Sequence, residues 1–176
     1  MLLDNLSDLF QRGLEYAWDC EHLFSKHVPK MAEVATSDQL KALLGAQIPA
    51  TSVHISRLER VFQRLDRSPA GEKSEPVRIL LDECEKMMHH LDRSPLLDAA
   101  IAFSCNQIAH YQIGLYQSLC GMARALNLDE PASLIDEILG DAKDADRELI
   151  RLAEGSINRA ASDVHNAPPF ALIWML

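Results

Sequence analysis

No stretch of this sequence approaches the roughly 20 consecutive apolar residues that a membrane-spanning helix requires. Basic residues are also in deficit. Seventeen Lys and Arg stand against 26 Asp and Glu, a net charge of −9, and they are interspersed with acids and form no stripe. Such a surface repels phosphate backbones and anionic headgroups, which argues against nucleic-acid partners and against a polybasic membrane patch. Cys20, Cys84, Cys105 and Cys120 lie far apart with no C-x-x-C pair, so neither a disulfide framework nor a zinc motif is indicated. Met1 to Phe10 carries Asp4 and Asp8, no basic residue and no cleavage signal, so it does not read as a secretory leader, and a cytoplasmic location is expected. Also missing are a Ser-His-Asp or Cys-His arrangement, a Gly-rich phosphate loop and a nucleotide fingerprint. Seven Gly and eight Pro cluster at a few points, and β-branched and aromatic residues never gather into alternating runs. Nothing therefore reads as a strand.

What remains is a chain that is 48% hydrophobic, enough for one sizeable core. Its apolar residues recur at helical spacing in five segments, which predicts an all-α fold. The first helix runs from about Ser7, a possible N-cap, to Ala35 through Leu14, Ala17, Trp18, Glu21, Phe24 and Val28, with Pro29 kinking it. Ser37 caps a second helix reaching about Asp66 through Leu40, Leu43, Gln47, His54, Leu58 and Val61, bent at Pro49. After the linker Arg67 to Gly71, a shorter helix spans about Pro76 to Leu91. A fourth covers about Leu96 to Leu126 and a fifth about Ala132 to Ala160. Four long helices plus one short one fit an antiparallel four-helix bundle with an additional short helix, occupying residues 1–166. The remaining tail, 167–176, ends in seven apolar residues. Packing back on the bundle or in a homodimer interface are its leading readings, ahead of docking on a membrane surface, since no basic residues flank it.

A bundle places its chemistry on inward positions of facing helices. By periodicity these include Glu21, Gln47, His54, Gln112 and Asp146, with Tyr16, Tyr111 and Tyr116 near the same layer. Glu15, His22 and the pair His89-His90 read as solvent-facing, Met87 and Met88 as core fillers, and His110 as a packed core or interface residue off the site centre.

The run Asp19-Cys-Glu-His-Leu-Phe-Ser-Lys-His-Val-Pro-Lys-Met-Ala-Glu33 resembles the opening helix of the YciF-like ferritin-like proteins, bacterial stress-associated bundles. Ser37-Asp-Gln-Leu-Lys41, Arg57-Leu-Glu-Arg-Val-Phe62, Asp98-Ala-Ala100, His110-Tyr111 with Tyr116, and Lys143, Asp146 and Leu149 follow in register. The resemblance covers about Leu6 to Glu154. It implies a ferritin-like fold and, in many members, a carboxylate-bridged two-iron centre between the four long helices.

Position by position, this chain departs from that ligand set. Glu21 and His54 stand at family positions, but Ala50, Ala109, Gln112 and Ala142 fall where the family pattern carries carboxylates. Carboxylates crowded in a low-dielectric core repel one another unless metal or protons compensate them, so their joint loss is physically consistent. The expectation is a non-catalytic, stress-associated or structural protein with a degenerate site, no cofactor, and assembly as a homodimer. Two alternatives stay open. One is a single iron, zinc or manganese ion held by Glu21, His54 and Asp146, or Asp141 in its place, in a vestigial site also lined by Gln47, Gln112 and Tyr116. The other is a core cavity for a small apolar ligand, left by the missing side-chain volume.

Overall fold

Local sequence signals set the helix ends. In a computed structural model that describes residues 3–69 and 72–163, α1 spans Leu6–Val34, α2 Asp38–Arg64, α3 Glu75–His90, α4 Pro95–Ala125 and α5 Asp129–Leu152. A wide π-turn, Ala153–Ile157, and a short α6, Asn158–Asp163, continue from α5, where the sequence suggested one uninterrupted helix. No strand occurs among the described residues. The tail 167–176 lies outside them.

The N-cap of α1 is Asn5, not Ser7: the Asn5 side chain accepts the Asp8 amide at 3.0 Å. Ser37 caps α2 as expected, accepting from the Leu40 amide. Pro29 and Pro49 both lie inside continuous helices. At the other ends, Asp66 and Asn127 adopt positive φ, and the amides beyond them, Arg67 and Leu128, reach back to the carbonyls of Phe62 and Ala123 at 3.0 and 2.9 Å. This left-handed stop satisfies orphan carbonyls of the last turn, and a short polar side chain tolerates it best after glycine.

Residues 35–37 join α1 to α2, and residues 126–128 join α4 to α5, so each pair forms an antiparallel hairpin. Between the hairpins, α3 carries the chain back along the bundle, so α2 and α4 run in the same direction. One long crossover of this kind marks ferritin-like bundles. Polar contacts fasten the crossover: Arg78 Nη2 meets both Asp19 oxygens at 2.6 and 2.8 Å, and Asp19 also accepts the Ser74 amide at 2.9 Å. Glu15 accepts the Glu72 amide at 3.1 Å and is buried, which corrects its expected exposure. The linker entering α3 covers that flank of α1.

A second clamp closes the α1–α2 turn. Buried Asp98, in the first turn of α4, accepts from the Thr36 amide (2.6 Å), the Thr36 hydroxyl (2.5 Å) and the Ser37 amide (2.8 Å). Elsewhere α1 and α4 approach closely at Gly13, where a Cβ would stand 2.8 Å from Leu119 Cδ2.

The interior falls into two apolar clusters. One, around Val28, Met31, Leu40, Leu81 and Ile101, lies toward the α1–α2 turn. The other, around Phe10, Leu58, Phe62, Leu119 and Ile135, lies toward the α4–α5 turn. All four cysteines are buried free thiols, packed as small hydrophobic side chains.

Candidate functional site

Between the two clusters the four long helices present polar side chains. Helical register delivers them: Glu21 lies four residues after Ala17 and three before Phe24, on the buried face of α1. His54 sits on α2 between Thr51 and Leu58, and Gln112 and Tyr116 occupy successive inward turns of α4.

Glu21 is 1% exposed, and both its oxygens are engaged. Oε1 accepts from the Tyr116 hydroxyl at 2.6 Å and from Gln112 Nε2 at 3.1 Å. Oε2 lies 3.4 Å from His54 Nδ1. Burial, followed by the charge of Glu21, pushes the Tyr116 phenol well above its ordinary value, so it stays protonated and donates. Burial likewise raises the adjacent Cys20 thiol, aided by Glu21 and Asp19. The Glu21, His54, Gln112 and Tyr116 cluster expected from the sequence is therefore assembled.

The far side of His54 is less settled. Nε2 is within ion-pair range of Asp141 Oδ2, at 3.4 Å, yet it is buried and makes no hydrogen bond. The two observations agree once separation and direction are distinguished: the carboxylate is near but poorly aligned. Asp141 is half exposed and is held instead by Arg57 Nη1 at 2.6 Å, while Arg57 Nε reaches Glu137 at 3.0 Å. Sequence reasoning offered Asp141 as an alternative to Asp146 beside Glu21 and His54, and the structure places it 3.4 Å from His54; it did not single out Arg57. The only signal for Arg57 is that it faces two acids spaced four apart on α5.

Asp146 is buried and borders the same cavity as Glu21 and His54, but its oxygens point elsewhere. Oδ1 accepts from Asn106 Nδ2 at 3.0 Å, and Oδ2 lies 3.5 Å from His110 Nε2. The His110 side chain is 62% exposed, so of its two expected readings, packed core or interface, the core one is corrected. Tyr111 bonds Ser74 at 2.9 Å, away from this layer. His22 is partly buried, stacked on Trp18 with ring centroids 4.4 Å apart, which corrects its expected exposure. His89 and His90 are exposed as expected, while Met88 packs against the core.

A cavity of about 40 Å³ opens between the helices here. Gln47, Ala109, Ala142 and Ala145 line it together with Glu21, His54 and Asp146. The donor set does not fit a two-metal centre, which needs about four inward carboxylates. Here only Glu21 and Asp146 border the space, each already hydrogen-bonded, with alanine methyls at 109 and 142. Among the described residues no three His, Cys, Asp or Glu side chains are grouped so as to hold a metal ion.

Comparison with known proteins agrees with the fold. Residues 5–162 match the model of a domain of unknown function, DUF892. Protein YciF of Escherichia coli K12 is 23% identical over 164 residues, covering 93% of this chain and 99% of the relative. The crystal structure of that E. coli stress protein superimposes with a TM-score of 0.84 at 22% identity, over 89% of this chain and 99% of the other. YcfI of Rhodopseudomonas palustris, for which a structural role has been suggested, shares 30% identity at a TM-score of 0.79, over 84% of this chain and 94% of its own. A two-domain protein of Anabaena variabilis that contains a ferritin-like domain matches with a TM-score of 0.61 at 21% identity, over 94% of this chain and 40% of that one. This chain therefore belongs to the DUF892 family, whose member fold here is the ferritin-like bundle shared with YciF.

Proposed function

We propose that this protein is a non-catalytic member of its family, stress-associated or structural, in which the layer that holds two metal ions in other ferritin-like bundles serves as a hydrogen-bonded packing layer. The observation that carries this reading is the saturation of Glu21. Three donors, from Tyr116, Gln112 and His54, use the carboxylate that would otherwise bridge metals. Such a group is stable in a low-dielectric interior only because its charge is compensated by those donors. Relatives described as a stress protein and as a suggested structural protein support the general role.

The competing reading is one ion held by Glu21, His54 and Asp146. It requires Asp146 to leave Asn106 and turn inward. Elemental analysis of protein purified without chelator tests the choice. Less than a tenth of an equivalent of iron, zinc and manganese is expected. Near-stoichiometric metal that disappears in His54→Ala would overturn the packing-layer reading.

Assembly as a homodimer belongs to the same proposal. Phe103 and Leu96 stand 59% and 45% exposed on α4, an apolar pair that a second copy would cover. Light scattering should give twice the 19.7 kDa chain mass, and a monomer would exclude that assembly. Among the described residues no helix is long and apolar enough to cross a membrane.

A further inference from the structure

We propose that the central cavity is a binding site for a small neutral oxygen-bearing molecule, the size of a short-chain alcohol or carbonyl compound. The inference rests on the packing-layer reading above, since a resident ion would occupy the same space. Three observations carry it.

The first is shape and lining. The cavity is bounded largely by hydrocarbon, from Phe24, Leu43, Leu44, Ala109, Ala142 and Leu149. A space of about 40 Å³ corresponds to roughly three water molecules by the volume each needs, hence to a ligand of about four heavy atoms. Leu43 and Gln47 on α2, and Ala142 and Ala145 on α5, are all partly exposed, so the mouth opens at the seam between those helices.

The second is charge. Glu21 and Asp146 border the cavity, and Asp141 stands beyond His54, while no Lys or Arg contributes to the lining. An anion entering here would face Glu21 and Asp146, with Asp141 beyond them paired to Arg57, and would find no Lys or Arg on the lining to offset them. A cation would find Glu21 and Asp146 already committed to donors on the protein. A neutral molecule meets neither obstacle.

The third is an unused polar atom. His54 is buried, borders the cavity, and its Nε2 makes no hydrogen bond. The Gln47 side chain, also on the lining, takes part in no hydrogen bond among the described residues. A ligand with an apolar stem and one hydroxyl or carbonyl oxygen would place its stem against the alanine methyls and its oxygen at the Gln47 amide, within reach of His54 Nε2 once the ring turns from Asp141. Water alone would satisfy the polar end but leave the hydrocarbon walls poorly matched.

The test uses the full chain in methyl-detected NMR, with n-propanol as the neutral probe and propionate as its anionic counterpart. Saturable shifts of the Leu43, Leu44, Ala142 and Ala145 methyls are expected with n-propanol, at least tenfold weaker with propionate. Ala142→Leu and, from another helix, Ala109→Leu fill the space and should abolish the n-propanol response in whichever variant keeps its helical spectrum. An absent or non-saturating response in the unmodified protein would overturn the proposal. So would equal affinity for propionate, or undiminished binding in a folded filled variant. Metal content measured on the same sample separates the outcomes. Stoichiometric metal would sink the packing-layer reading, whereas metal-free protein that ignores n-propanol would sink only the ligand site.

Discussion

Replacing Tyr116 by Phe removes one oxygen from a wholly buried position and leaves the ring in place. The lost atom donates to Glu21 Oε1 at 2.6 Å, a length typical of a hydroxyl bonded to a charged oxygen. Glu21 would keep Gln112 at 3.1 Å and His54 at 3.4 Å, both longer contacts. Hydrogen bonds to charged groups contribute about 1.5–3 kcal/mol when one partner is deleted in a buried site. For a chain of this size that corresponds to a fall of about 3–12 °C in Tm. Thermal unfolding followed by circular dichroism measures it, and a double-mutant cycle assigns it. In a Glu21→Gln background the acceptor is neutral, so the same substitution should cost only about 1 kcal/mol, leaving a coupling of about 0.5–2 kcal/mol between the two positions. If Tyr116→Phe costs the same in both backgrounds, or shifts Tm by less than about 1 °C, then Glu21 is not held as a charged acceptor and the account of the layer fails.

Asp98→Ala deletes the acceptor of three hydrogen bonds at the α1–α2 turn. A loss of about 2–3 kcal/mol is expected in urea unfolding, with little change in the slope. Asp98→Asn should recover part of it, and a loss below about 0.5 kcal/mol would show that the turn does not depend on α4. The buried thiols should resist a disulfide reagent at neutral pH until the chain is unfolded, because burial raises Cys20, Cys84 and Cys105, and lifts Cys120 to about 11. Unfolded thiols titrate near 8.5. The fold therefore holds these protons more tightly than the unfolded chain does. The resulting stabilisation is complete below about pH 8.5 and declines as pH rises toward 11. Prompt labelling of native protein, or stability that stays level across that interval, would contradict the assignment.

Much of the bundle was legible in the sequence because helices advertise themselves locally. Ser37, the linker after Arg67 and the break near Asn127 each mark an end through one or two residues, and inward Glu21, His54, Gln112 and Tyr116 follow from a 3.6-residue period. Asn5 and Ser7 are both competent caps, and choosing between them depends on which amides each reaches. Glu15 was misplaced for a different reason. Periodicity locates one buried stripe facing the main core, whereas Glu15 is covered on the flank of α1 by the linker at Glu72, 57 positions away. The same holds for Asp98: an acid in a helix first turn needs no partner, so nothing local announces that it closes a turn 62 residues earlier. Asp146 shows the limit at the candidate site. Its inward register was readable, but its preference for Asn106 and His110 over the cavity was a matter of side-chain direction.

The division of the interior into two apolar clusters has a consequence for how such a protein tolerates change. Each end of the molecule is anchored by its own oily plug, and the polar belt lies between them, with Tyr116 shared by the belt and the plug toward the α4–α5 turn. A substitution at the alanines that line the belt's cavity, Ala109 or Ala142, therefore falls outside both plugs. Change at those positions leaves the residues that hold each extremity together untouched.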